Sequence, residues 1–256
     1  MVGAGGGFVL VPILLLLYPR AAAEDVTATS LFVVCANAAS GTVAYARQRR
    51  IDYRSGIWFA TATLPGAVAG AVVVAFVPRR AFDGIFATLL VALGLWLMLH
   101  AGATAIRSPV TGRGVVRRTL RDARGNAFVY SFHLWKGIVL SAGIGFLSSL
   151  LGIGGGVIHV PVMATVLHFP IHVATATSQF VLTFMAAEGT SVHFATGALG
   201  WNDWLGRAVL LAVGAVPGAQ VGAWFAQRVH QRIIIRALSA ALVLVGVRLG
   251  LKALGL

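Results

Sequence analysis

An eleven-residue pattern occurs twice in this chain. Val2-Gly3-Ala4-Gly5-Gly6-Gly7-Phe8-Val9-Leu10-Val11-Pro12 returns 149 residues later as Leu151-Gly152-Ile153-Gly154-Gly155-Gly156-Val157-Ile158-His159-Val160-Pro161. Both copies lie in apolar sequence, where glycines release the backbone from helical geometry and the freed polar groups must find partners. The match continues in register. Ala28-Thr29-Ser30 corresponds to Ala176-Thr177-Ser178, Gly41-Thr42 to Gly189-Thr190, Asp52 to Asp203, Pro65-Gly66 to Pro217-Gly218, Gly70-Ala71 to Gly222-Ala223, and Gly94 to Gly246. The offset drifts only from 148 to 152 residues, which short loop differences account for. Duplicated, interrupted apolar segments are how membrane carriers form a solute site at depth.

Composition fixes the solvent. Hydrophobic residues make up 58% of the chain, mean hydropathy is +0.88, and charged residues are 11%, against about 25% in soluble domains. The chain is an integral membrane protein. Its net charge of +13 does not read as a nucleic-acid signal, because the arginines sit between apolar runs. Arg47, Arg49, Arg50 and Arg54 form one cluster, and Arg107, Arg113, Arg117, Arg118, Arg121 and Arg124 another. Cationic loops retained on the cytoplasmic side and drawn to anionic headgroups distribute charge in this way. The single Cys35 permits no intrachain disulfide and says nothing of redox compartment.

Runs of about 20 apolar residues, enough to cross a bilayer, extend over 26–46, 55–77, 81–106, 173–196, 204–226 and 233–251. Phe8–Leu17 with Ala21-Ala22-Ala23 imitates a cleaved secretory signal, but it has no basic leader and it aligns with 157–167, so we expect it to be retained. The run 129–168 is too long for one straight span, since 40 residues rise about 60 Å against about 30 Å of hydrocarbon. It must bend, break or re-enter.

The predicted fold is an all-α polytopic membrane protein of two homologous repeats, each with four hydrophobic segments and a broken or re-entrant glycine segment. The first repeat covers 1–106, a basic cytoplasmic linker compatible with a short surface helix covers 107–136, and the second repeat covers 137–256. The counterpart of 136–150 would precede Met1, so either more chain precedes the first segment or that segment is a half-span. If each glycine segment crosses once the repeats are parallel; if each re-enters they are inverted. Both topologies place 13 Lys and Arg inside and 6 outside, Lys136 excepted, and they disagree over Arg228, Arg232 and Arg236.

The glycine cluster Leu151–Gly156 with Pro161, the Ala176-Thr177-Ser178 element and the same pair of features in the first half resemble the TauE/SafE family of sulfite exporters and related anion permeases. The resemblance spans nearly the whole chain. It implies a multi-pass protein of the cell membrane that transports sulfite, organosulfonates or other small anions, driven by a proton or ion gradient.

The residues agree with that class. A helix that starts just after a glycine break points its positive end, and its unpaired amides, at whatever sits there. Gly5, Gly6, Gly7, Gly154, Gly155 and Gly156 are therefore candidate anion ligands, although small residues also serve close helix packing. Thr29, Ser30, Thr177, Ser178 and Gln179 add hydroxyl and amide donors, or bond back to their own helices. Glu188 is the only acid well inside an apolar run, and His159 lies three residues beyond the second cluster. Both are proton-coupling candidates; a protonated structural acid is the plainer role for Glu188, whose counterpart is Ser40.

Metal spacing, nucleophile elbow, Walker motif and paired carboxylates are all missing from the sequence. The chain therefore reads as no enzyme and as using neither cofactor nor metal. Its partners are a small anion and membrane lipid, not nucleic acid, with a homodimer left open. A passive anion channel and a non-transporting membrane scaffold are the competing readings.

Overall fold

The fold was obtained as a computed structural model that describes residues 6–100, 114–200, 203–225 and 231–253. Nine α-helices and one two-stranded ribbon occur among them. A short helix α1 (Gly7–Leu17) leads into three long ones, α2 (Ala23–Arg47), α3 (Tyr53–Val73) and α4 (Arg79–His100). The ribbon β1 (Val115–Arg121) and β2 (Ala127–His133) follows, then α5 (Leu134–Leu151), short α6 (Gly156–Thr165), α7 (Ile171–Ala195), α8 (Asp203–Phe225) and α9 (Gln231–Ala253). Five helices are long and apolar enough to cross a membrane by length and composition. Leu17, Phe76, Leu99, Leu210 and Val213 are exposed on outward faces, as lipid-facing side chains are.

The long segment before α7 does not run straight. Helix α5 ends on Gly152 in the left-handed region (φ 66°), and Gly154 repeats that conformation (φ 62°) before α6 begins. Helix α6 then turns back along α5: Gly155 lies against Ser148 and His159 against Ser141, 3.1 Å from Nε2 to Oγ. Both open ends reach one apolar cluster of Phe59, Phe132, Met163, Leu167 and Phe169. The second glycine segment is thus a broken segment folded as a helical hairpin. Helices α5 and α3 run parallel with backbones in contact, since a Cβ on Gly66 or Gly70 would strike the main chain of Ala142 or Phe146.

The charged linker departs from the expected surface helix. Alternation in Val115–Arg121 suits a strand, and Val115 pairs with His133 through to Arg121 with Ala127 in an antiparallel ribbon. Gly125 closes the turn at φ 84°, and the Asp122 carboxylate accepts from the amides of Arg124 and Asn126 at 2.9 Å each. The charge density of this stretch concealed its period of two.

Asp122 also binds Arg50 at 3.1 Å, joining the ribbon to the turn after α2. Burial raises the Asp122 pKa, but hydrogen bonds from Asn126, Arg50 and Arg124 outweigh it and lower the value to about 2. A depressed carboxylate stabilises above its unfolded value and loses that contribution as pH falls through the folded one. We expect ribbon docking to be constant from neutral pH down to about 4 and to weaken between there and about 2. A dye on Thr119→Cys in a Cys35→Ser background reads this step, and Arg50→Ala should diminish it.

Corresponding helices of the two halves touch reciprocally. A Cβ on Gly94 would meet Val243 Cγ2 at 2.7 Å and the Ser239 carbonyl at 3.0 Å; one on Gly246 would meet Val91 Cγ2 at 2.7 Å and the Ala87 carbonyl at 3.0 Å. Likewise Gly41 faces Gln179, and Gly189 faces Leu31. These contacts make α2 antiparallel to α7, and α4 antiparallel to α9.

Candidate functional site

The two glycine motifs meet. Gly6 caps α1 in the left-handed region (φ 78°). A Cβ on buried Gly7 would lie 2.6 Å from the Ile153 carbonyl oxygen and 2.7 Å from that of Gly152. Only hydrogen fits there. Helices α1 and α6 therefore start at one place in the interior and run apart, each about 15 Å long, or half the hydrocarbon thickness. Their first-turn amides and positive dipole ends share that place.

Side chains from α2, α5 and α7 surround it. Ser30 donates to the Gly152 carbonyl at 2.6 Å, and Thr27 packs on Gly152. Ser148 Oγ accepts from the Gly155 amide. Gly154 packs on Val34 and Leu182, and Gly155 on Ile144 and Met185. Ser149 Oγ would stand 3.2 Å from a Cβ on Gly189 of α7. Thr27, Thr29, Ser149, Ser178 and Thr190 are buried with hydroxyls that bond no protein group, and Gln179 Oε1 is in the same condition. Buried polar groups are normally satisfied, and of these unpaired ones Thr27 packs on Gly152 and Ser149 precedes the break, which makes this the candidate site.

The candidates named from sequence divide between places. Gly6, Gly7, Ser30, Gly154, Gly155 and Gly156 gather at the break; Gly5 lies outside the described residues, as do Arg107, Arg113 and Arg228. Thr177 is held at the arginine-rich end, where its hydroxyl accepts the Asp52 amide at 3.0 Å. Gln179 packs its amide on Gly41. His159 is enclosed, bonded to Ser141 and edge-on to Phe59 at 5.9 Å. Glu188 is half-buried, with Oε2 unpartnered. Two arginines near helix starts are occupied: Arg79 binds Asp83 at 3.0 Å and the Ala21 carbonyl at 2.5 Å, and Arg207 lies over the rings of Tyr18 and Trp204.

Thr27, Ser148 and Ser149 escaped the sequence reading. Ser148-Ser149 is a polar pair in an otherwise apolar run directly before the glycines, a signal that was available. Thr27 carried none, since its proximity to Gly152 depends on the packing of α2 against the other half.

At the arginine-rich end Asp52 organises a second polar cluster. It caps α3 by accepting from the Ser55 amide at 3.1 Å and the Ser55 hydroxyl at 2.5 Å, accepts from Tyr130 at 2.8 Å, and stands 3.6 Å from Arg118. The ribbon is thereby fastened over the open ends of α5 and α6.

Long apolar helices around a helical hairpin and two facing half-helices are the build of a multi-pass membrane protein of the transporter class. Residues 1–249 match the family described as Sulfite exporter TauE/SafE. The chain belongs to that family. Among its relatives, "Probable membrane transporter protein YunE" of Bacillus subtilis (strain 168) is 33% identical over 255 residues, covering 97% of this chain and 91% of that protein. "Probable membrane transporter protein MJ0441" of Methanocaldococcus jannaschii is 23% identical over 249 residues, covering 92% and 85%. No solved structure matches the chain significantly.

Proposed function

We propose that this protein carries small oxyanions, sulfite or an organosulfonate first among them, across the cell membrane by alternating access. The two halves act as inverted repeats, with the arginine-rich ribbon on the cytoplasmic side. The observation that carries this reading is the meeting of Gly6-Gly7 with Gly152–Gly156, where two half-helices begin beside unpaired hydroxyls. Main-chain amides and dipole ends attract an anion without a buried cation. Binding is accordingly weak enough to release. Inversion is supported by the antiparallel contacts of α2 with α7 and of α4 with α9, which a two-fold axis in the membrane plane requires. It also assigns Arg228, Arg232 and Arg236 to the cytoplasmic side, in keeping with the retention of positive loops. Coupling to protons belongs to this reading, and His159, Glu188 and His193 are among the titratable groups of the helices that could serve it.

The test is thermal stabilisation of purified protein by sulfite, sulfoacetate, taurine, sulfate and small carboxylates. A ligand at 100 times its Kd adds about 2.7 kcal/mol, so sulfite or a sulfonate should raise Tm by several degrees while carboxylates do not. Absence of any shift from the sulfur oxyanions overturns the assignment. In vesicles, large gradient-independent anion current would instead indicate a channel, and neither flux nor current a scaffold.

A further inference from the structure

We infer that the Glu24–His193 pair, at the end of the bundle opposite the arginine-rich ribbon, is the proton-binding site of the carrier. This rests on the transport reading above and names the group that bears the coupling proton.

His193 lies in the last turns of α7 and is fully buried, and neither ring nitrogen has a hydrogen-bond partner. A neutral imidazole carries one N–H and one lone pair, both normally satisfied when buried. Its Nδ1 stands 3.9 Å from Glu24 Oε1, in the first turn of α2. The Glu24 side chain is 24% exposed, so the carboxylate touches the aqueous phase while the ring does not. Thr196 donates to the same carboxylate oxygen at 3.5 Å. A proton from external water thus has a short route: onto the Glu24 carboxylate, then onto Nδ1, leaving an imidazolium beside a carboxylate.

The other charged groups at this end among the described residues are engaged elsewhere or exposed: Arg79 pairs with Asp83 at 3.0 Å and donates to the Ala21 carbonyl, and Arg20 and Arg80 lie at the surface. From α2, Asp25 accepts from its own turn at Ala22. From α8 the packed residues are Leu205 and Ala208, with Arg207 occupied by Tyr18 and Trp204 and Asp203 at the exposed start. On α7 itself Glu188 lies five residues earlier, on another side of the helix, and His159 is committed to Ser141.

Position supplies the coupling. Protonation ties the external end of α2 to that of α7, the two helices whose hydroxyls and glycines border the anion place. The counterparts of Glu24 and His193 by the 148-residue offset are His172 and Tyr45 at the cytoplasmic end. That pair contains no carboxylate of its own, and His172 instead lies in the field of the Arg50–Asp122 ion pair, so the two ends differ as proton sites and can give the cycle its direction.

Two measurements test this on the full chain. In proteoliposomes, Glu24→Gln and His193→Gln should each lower proton-gradient-driven accumulation of labelled sulfite by about tenfold or more, the equivalent of one pKa unit in coupling, while sulfite exchange without a gradient persists. Retention of gradient-driven accumulation by both variants overturns the proposal. In detergent, the His193 ring resonance, identified by its loss in His193→Gln, should change with pH, and the midpoint should shift by about one pH unit in Glu24→Gln because a carboxylate this close is felt. A ring that does not titrate between pH 4 and 9, or whose midpoint is indifferent to Glu24, overturns the proposal even if the transport variants fail to fold. Should the ring behave as expected while wild-type vesicles move no sulfite, the proton site stands and the anion assignment falls.

Discussion

Replacing Gly7 with valine is expected to abolish sulfite accumulation in proteoliposomes while the protein still inserts. The position admits only hydrogen, with the carbonyls of Gly152 and Ile153 within 2.7 Å of where a Cβ would sit. A valine there drives the start of α1 away from the start of α6. Overpacking of this kind costs about 1–3 kcal/mol of stability, which a large bundle survives. The proposed anion site does not survive it, because in that proposal the opposed amides and dipole ends act on an anion only together. Loss of sulfite-induced thermal stabilisation should accompany loss of flux. If Gly7→Val keeps wild-type flux, the meeting of the two motifs is packing and nothing more. Gly84 serves as the control: it is half-buried on α4, a Cβ there would have nothing within 4 Å of it, and Gly84→Ala should change neither property.

The second large effect belongs to Asp52. Its side chain is buried and serves the α3 amide and hydroxyl of Ser55, the phenol of Tyr130 and the Arg118 guanidinium at once. Asp52→Ala removes the α3 cap and leaves those donors without their acceptor. Breaking a buried pair of this kind costs about 3–5 kcal/mol, and the ribbon should detach from the ends of α5 and α6 before the bundle melts. Thermal unfolding, together with protease sensitivity of the 122–126 turn, checks this. Asp52→Asn keeps the cap oxygen and should lose distinctly less. Equal loss in both variants would show that charge, rather than capping, is what Asp52 provides.

Much of this architecture was legible in the chain. Long apolar runs located α2, α3, α7, α8, α9 and the start of α4 to within a few residues, because hydrophobic length is the membrane's own criterion. The interruption at Gly152–Gly155 was legible because three consecutive glycines have no stable place inside a helix. The ribbon was not: four arginines in β1 and its turn dominate any average over 115–124, and the alternation beneath them shows only once β2 is known to pair with it. Of the candidate site, the glycines and Ser30 were visible through duplication. Thr177 was visible for the same reason yet sits with Asp52, because α7 runs antiparallel to α2 and carries it to the arginine-rich end. The Glu24–His193 approach could not be read at all. The two residues are far apart in sequence, and only the antiparallel crossing of α2 and α7 brings them together.

The hydrogen bond from Ser30 to Gly152, and the seating of Gly7 on the same loop, carry a consequence for biogenesis. Each half completes the other's interior, so an emerging chain that has inserted only its first four helices holds Thr27, Ser30 and an uncapped half-helix without the groups they are built to meet. Synthesis must deliver much of the second half before those contacts close.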